Sequence, residues 1–122
     1  IMGFVKNFYP CFLTLAMDIV GGKWKIVILW HLRNGILRFN EIRRLMPGIT
    51  QKMLTQQLRE LEDNGIVSRT VYPVVPPKVE YALTDEGKKL IPVLDMLCNW
   101  STTYAGAHGI SCGFPICSGK VS

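Results

Sequence analysis

At 122 residues the chain is long enough to bury one real core and leaves little room for a second. Fourteen Lys and Arg against nine Asp and Glu leave a formal charge of +5, and between Lys23 and Lys78 ten basic residues face only four acidic ones; such a basic centre between near-neutral ends points to a polyanionic partner, against the plainer alternative of solubilising surface lysines. The longest strongly apolar run, Ile26–Trp30, falls far short of the ~20 residues a bilayer span needs, the start Ile1-Met2-Gly3 carries no secretory pattern, and Cys11, Cys98, Cys112 and Cys117 are too sparse to frame a small secreted fold, so no membrane association and a reducing cytoplasm are expected.

Leu13, Ala16, Met17 and Val20 recur at helical spacing, and Gly21-Gly22 supplies a left-handed stop. A second helix is predicted from about Lys23 to Arg33, apolar nearly all round and therefore interior or between subunits, and Asn34-Gly35 ends it. Leu37-Arg38-Phe39 reads as a short extended connector. Asn40 then caps a brief helix from Glu41 to Met46, broken by Pro47-Gly48. Thr50 is the next N-cap, opening a helix from Gln51 to Asp63 that Asn64-Gly65 closes. Val67–Tyr72 and Val79–Leu83 alternate as strands do, and Pro73 to Pro77 make a stiff, protruding tip between them. Thr84 begins a last helix, with Asp85 and Glu86 at its positive end and Leu90, Leu94, Leu97 and Trp100 along one side. Pro92 either bends that helix or delays its start by a turn. Past Tyr104 the periodicity stops, and residues 105–122 read as a loose tail.

This order predicts a mainly α fold with a small β-hairpin wing: one winged helix-turn-helix domain over residues 1–122, with an ordered core from 11 to 104. Leu54, Leu58 and Leu61 take one face of the helix from Gln51 to Asp63. The opposite face presents Gln51, Lys52, Thr55, Gln56 and Arg59. Glutamine suits adenine, arginine suits guanine, and the threonine methyl suits that of thymine. Gln51, Lys52, Thr55 and Gln56, in the first turns, are the residues placed to read bases, Arg59 is placed to meet phosphate, and the capping Thr50 belongs to the same DNA-binding set. The stretch from Thr50 to Arg59 has no acid, whereas an arbitrary surface helix mixes signs. Arg69 and Lys78 are the cations of the hairpin, with the Pro-rich tip holding Lys78 outward. Arg38, Asn40 and Arg43 stand at the front of the preceding helix, where anions are favoured.

Several motifs in order resemble the HxlR-type transcriptional regulators. Ile19-Val20-Gly21-Gly22-Lys23-Trp24-Lys25 and Arg38-Phe39-Asn40-Glu41-Ile42 come first. The run from Ile49 to Leu61, Val75-Pro76-Pro77-Lys78-Val79-Glu80-Tyr81 and Leu83-Thr84-Asp85-Glu86-Gly87 follow. The likeness covers about residues 11 to 100. It implies a bacterial, dimeric winged-helix repressor or activator, paired through its terminal helices, with Gln51 to Asp63 as recognition helix. Independently, the apolar sides of the first and last helices exceed what one small domain covers, and two-fold pairing is the usual remedy. A homodimer would set two recognition helices about one DNA turn apart on an inverted repeat of double-stranded DNA.

In that family a cysteine just before the first helix serves some members as a sensor of electrophiles or oxidants. Cys11 falls at that position, although the proline that commonly follows is here Phe12. A thiol at a helix start gains thiolate character, whereas a buried cysteine is only a small apolar side chain; both readings stay open. Cys98 reads as core or dimer packing, and His31 as a hydrogen-bonded interior or interface side chain. His108, Cys112, Cys117 and Cys98 lack the paired spacing of a zinc site, so no metal and no cofactor are expected.

An enzyme is disfavoured because there is no phosphate-cradling loop, no H-E-x-x-H and no nucleophile elbow. The remaining rivals are a winged helix used for protein contact, and a regulator that answers a small molecule with no cysteine chemistry. The missing row of exposed aromatics argues against single-stranded RNA.

Overall fold

The computed structural model describes residues 5–113, and the described chain divides after Lys88 into two compact units. In the first unit the elements run α1 (Phe12–Val20), α2 (Lys25–Leu32), β1 (Leu37–Arg38), α3 (Phe39–Arg44), α4 (Gln51–Asp63), β2 (Val67–Tyr72), β3 (Lys78–Leu83) and α5 (Asp85–Lys88). The second unit carries α6 (Ile91–His108).

Hydrophobic burial organises the first unit. Ile28, Leu29 and Leu32 of α2, Ile42 of α3, Leu54, Leu58 and Leu61 of α4, and Val67, Tyr81 and Leu83 of the sheet are all buried. Apolar side chains at i, i+4 and i+7 thus hold α4 by one face, as the spacing predicts. Helix α2 is buried along most of its length, again as its nearly all-round apolar character requires.

The sheet has three strands in the order β1-β3-β2, all antiparallel. The Leu37-Arg38 connector is therefore a strand: Leu37 pairs with Tyr81 and Arg38 with Glu80. That pairing moves the start of α3. Arg38, in extended conformation, is its N-cap residue, and the Glu41 carboxylate accepts from the Arg38 backbone N–H at 2.7 Å. Asn40 is not the cap; it lies inside the helix, because strand pairing sets the entry of the chain two residues earlier.

At the end of α1, Gly21 is extended and only Gly22 takes a positive φ, of 90°. The predicted last helix is interrupted at Lys89-Leu90. Thr84 Oγ1 accepts from the Gly87 N–H at 3.0 Å over α5, and Pro92 sits in the first turn of α6, where its missing N–H costs nothing. Pro92 thus delays the helix rather than bending it.

In the second unit α6 runs past Tyr104 to His108. Tyr104 stacks on Trp100 at 5.3 Å and on His108 at 4.0 Å between ring centroids. Gly109, at φ 67°, gives the left-handed stop, its N–H donating to the Ala105 carbonyl. Aromatic stacking one turn apart and a glycine cap supply what the apolar periodicity lacks there. The rest of the tail expected from residue 114 onward, Cys117 included, lies outside the described residues.

Candidate nucleic-acid interface

Helices α3 and α4 follow one another across the Pro47-Gly48 break. Thr50 Oγ1 accepts from the Met53 N–H at 3.0 Å, the predicted cap. With Leu54, Leu58 and Leu61 buried, rotation of α4 about its axis is fixed. Its other side turns Gln51, Lys52, Thr55, Gln56 and Arg59 together into one open concavity of about 710 Å³. Five predicted residues therefore share a surface. Gln51, Lys52, Gln56 and Arg59 are exposed, and Thr55 is half-buried. The Thr55 hydroxyl donates to the Gln51 carbonyl at 2.8 Å, which leaves its methyl as the group for an apolar contact.

Asn40 and Arg43 line a second concavity with Arg44. Arg44 was absent from the sequence candidates, yet its spacing of four from Asn40 places it on the same helix face. Arg38, Asn40 and Arg44 also line a groove of about 660 Å³, whose far wall is the wing tip at Val75, Pro76 and Lys78.

The two wing cations do not share a face of the sheet. Arg69 pairs with Tyr81 across the sheet, whereas Arg38 and Thr70 pair with Glu80. Directly opposed residues share a face, so Arg69 lies on the opposite face from Arg38 and Lys78. Lys78 is not held outward by the tip. It is the first residue of β3, half-buried, with Nζ 3.7 Å from the Glu80 carboxylate and 4.6 Å from the centre of the Tyr72 ring. A carboxylate two residues along the same strand face draws it back. The same carboxylate raises the Tyr72 phenol above its ordinary value.

Lys25 also leaves the basic surface. It is 5% exposed, and its Nζ donates to Glu60 Oε1 of α4. The other carboxylate oxygen, Oε2, accepts from Gln56 Nε2 at 3.3 Å. The carboxylate that Gln56 touches beside the α4 concavity is thus matched by an ammonium from α2. The partner stands 35 residues away, which no local pattern reveals.

Cys11 is exposed, in extended conformation at the N-cap position of α1. Its carbonyl accepts from the Thr14 N–H at 3.0 Å and hydroxyl at 2.6 Å. The Tyr9 hydroxyl donates to Asp18 at 2.6 Å, fastening the segment before Cys11 to α1. Cys98 is half-buried in α6 and Cys112 is exposed. His108 Nδ1 lies 2.9 Å from the Tyr104 carbonyl. His31 is buried and hydrogen-bonded to the Leu45 backbone, as expected, while its Nδ1 has no partner among the described residues. Burial, reinforced by the nearby Arg33 charge, pushes its pKa below 6.5.

Among the described residues no helix is long and apolar enough to cross a membrane. The chain is 54% identical over 100 residues to an HTH-type transcriptional regulator of Methanothermobacter thermautotrophicus, covering 82% of this chain and 76% of the relative. The solved structure of the HTH-type transcriptional regulator YtcD of Bacillus subtilis superposes with a TM-score of 0.76 at 52% identity, covering 79% of this chain and 98% of that one. The redox regulator HypR in its oxidized form superposes with a TM-score of 0.74 at 50% identity, covering 76% of this chain and 96% of that one. The model of the HxlR-like helix-turn-helix matches residues 19–109. With a capped helix-turn-helix, an open polar face on its second helix and a three-stranded wing, the chain belongs to the HxlR-like helix-turn-helix family of transcriptional regulators, DNA-binding proteins and not enzymes.

Proposed function

We propose that the protein is a homodimeric regulator that lays α4 of each protomer into the major groove at one half of an inverted repeat. The observation that carries this is the α4 concavity, where Gln51, Lys52, Thr55, Gln56 and Arg59 stand together and the nearby carboxylate is neutralised from within. Gln51, Lys52, Thr55 and Gln56 read base edges from the first turns, while Arg59 fixes register on phosphate. The capping Thr50 sets the angle of entry. Arg38, Asn40, Arg43 and Arg44 follow the backbone beside it, and Arg69 and Lys78 belong to the wing. Pairing is supported in each unit separately. Phe12 and Leu13 of α1 are 77% and 75% exposed, and Met96 and Trp100 of α6 are 72% and 63% exposed. Apolar surface of that extent is covered in a stable assembly.

Arg59→Ala tests the DNA contact. In a dimer it removes two phosphate contacts, so the slope of log K against log salt flattens by about 1.8. Gel-shift titration at several salt concentrations reads this directly; an unchanged slope removes Arg59 from the contact list.

The effector reading is a thiol reaction at Cys11. An exposed thiol at a helix start supports it, as does the likeness to a redox regulator. Diamide takes two hydrogens from two thiols and leaves one disulfide, with Cys11 contributing one of them. Operator release under diamide should be lost in Cys11→Ser; equal release by both proteins leaves the cysteine structural.

A further inference from the structure

Glu60 touches both the interior of the first unit and the polar face of α4 through one functional group. Its Oε1 accepts from Lys25 Nζ, at the first turn of α2, where the lysine is 5% exposed. Its Oε2 accepts from Gln56 Nε2 at 3.3 Å. The Glu60 side chain is itself only 17% exposed. A carboxylate pinned on one oxygen by a buried ammonium cannot rotate freely, so the second oxygen is a fixed acceptor. An exposed glutamine amide otherwise flips between two nearly equivalent orientations, exchanging its donor and acceptor ends. Here one N–H of Gln56 is held against Glu60, and the amide keeps one N–H and its carbonyl oxygen for an outside partner.

We propose that Glu60, anchored by Lys25, is a positioning residue that locks the amide of Gln56 and thereby sets which base pair the protein prefers. This rests on the reading that α4 enters the major groove. One donor beside one acceptor in fixed order matches the N7 acceptor and N6 amino donor of adenine. Guanine offers two acceptors at the same places, N7 and O6, and leaves the Gln56 carbonyl facing another oxygen. The locked amide therefore selects adenine against guanine, whereas a free amide that turns over accommodates both less selectively. Lys25 has a second effect on the same contact. A carboxylate on a groove-facing helix repels phosphate, and the buried ammonium cancels that charge without occupying the surface.

The test begins with selection of bound duplexes from a random-sequence pool by the wild-type protein. Each base pair of the selected half-site is then varied singly and affinities are compared among wild type, Gln56→Ala and the double variant Lys25→Met/Glu60→Met. The double variant replaces the buried pair by apolar side chains of similar volume, a change that folds tolerate well. Wild type should favour adenine over guanine about tenfold at one position. Gln56→Ala should abolish that preference. The double variant should abolish it at the same position and nowhere else, with the salt slope unchanged.

If Gln56→Ala alters no base preference, Gln56 reads no base and the proposal falls, while the groove reading falls only if the wild type selects no half-site from the pool. If Gln56→Ala alters it and the folded double variant keeps it, only the positioning role is overturned. Should the double variant not fold, nitrogen-15 spectra of the wild type decide. In them one Gln56 side-chain amide proton, the one donated to Glu60, should exchange with solvent more slowly than the other, and equally fast exchange of both overturns the lock.

Discussion

Removing one member of the Lys25–Glu60 pair should destabilise the fold unequally, depending on which member goes. The Lys25 side chain is 6% exposed and that of Glu60 is 17% exposed. Stripping a buried pair of one partner costs about 3–5 kcal/mol, because the remaining charge keeps its desolvation penalty and loses its attraction. Glu60→Met takes the carboxylate from the deeper ammonium, so it belongs near the top of that range, at about 4 kcal/mol. Lys25→Met leaves a carboxylate that still accepts from Gln56 and reaches some water, and about 2 kcal/mol is expected. The double variant removes both charges at once and should lie within about 1 kcal/mol of wild type. Urea unfolding followed by circular dichroism reads all three. With a slope of about 2 kcal/mol per molar urea, the Glu60→Met midpoint falls by roughly 2 M while the double variant stays near wild type. Two single variants that each cost under about 1 kcal/mol and add in the double would refute this. The pair would then behave as a solvent-screened surface contact.

Two further predictions come from sites away from the groove. A Cβ at Gly87 would lie 2.2 Å from the Ile66 carbonyl oxygen, and that oxygen is held by the Thr84 N–H at 3.0 Å and the Thr84 hydroxyl at 3.1 Å. Gly87→Ala should therefore cost about 1–3 kcal/mol and lower the melting temperature by several degrees. Gly106→Ala in α6, where the Cβ meets open space, should leave it level or raise it; equal losses would refute the steric account. For His31 the folded-state pKa lies below 6.5, so the unfolded chain binds the proton more tightly. Its contribution is fully present above pH 6.5 and is lost as pH falls from there toward the depressed value. His31→Phe should flatten the loss of stability as pH falls below 6.5. A slope identical to wild type would show that the ring is not titrating.

What the sequence discloses and what it hides divides along the range of the interactions concerned. Helix α4 is legible because independent local signals coincide: Thr50 caps it, Leu54, Leu58 and Leu61 face inward, and Asn64-Gly65 ends it. The cap of α3 is hidden because it depends on Arg38 pairing with Glu80, a strand contact across more than forty residues. The last turn of α6 is hidden for another reason, since its support is aromatic stacking and not an apolar stripe. Charge is where this matters most for function. Counting cations from Lys23 to Lys78 treats each as surface, yet Lys25 is consumed inside by Glu60 and Lys78 is drawn onto Glu80. Among the described residues, Arg43, Arg44, Lys52 and Arg59 have no acidic partner. On the wing Arg69 is likewise without an acidic partner, so the positive surface that remains available lies mainly on α3 and α4, with Arg69 beside it. If polyelectrolyte attraction follows the free cations, the salt dependence of DNA binding belongs chiefly to those two helices. Neutralising Lys78 should then change the slope less than neutralising Arg43 or Arg59, a ranking the linear count of basic residues cannot produce.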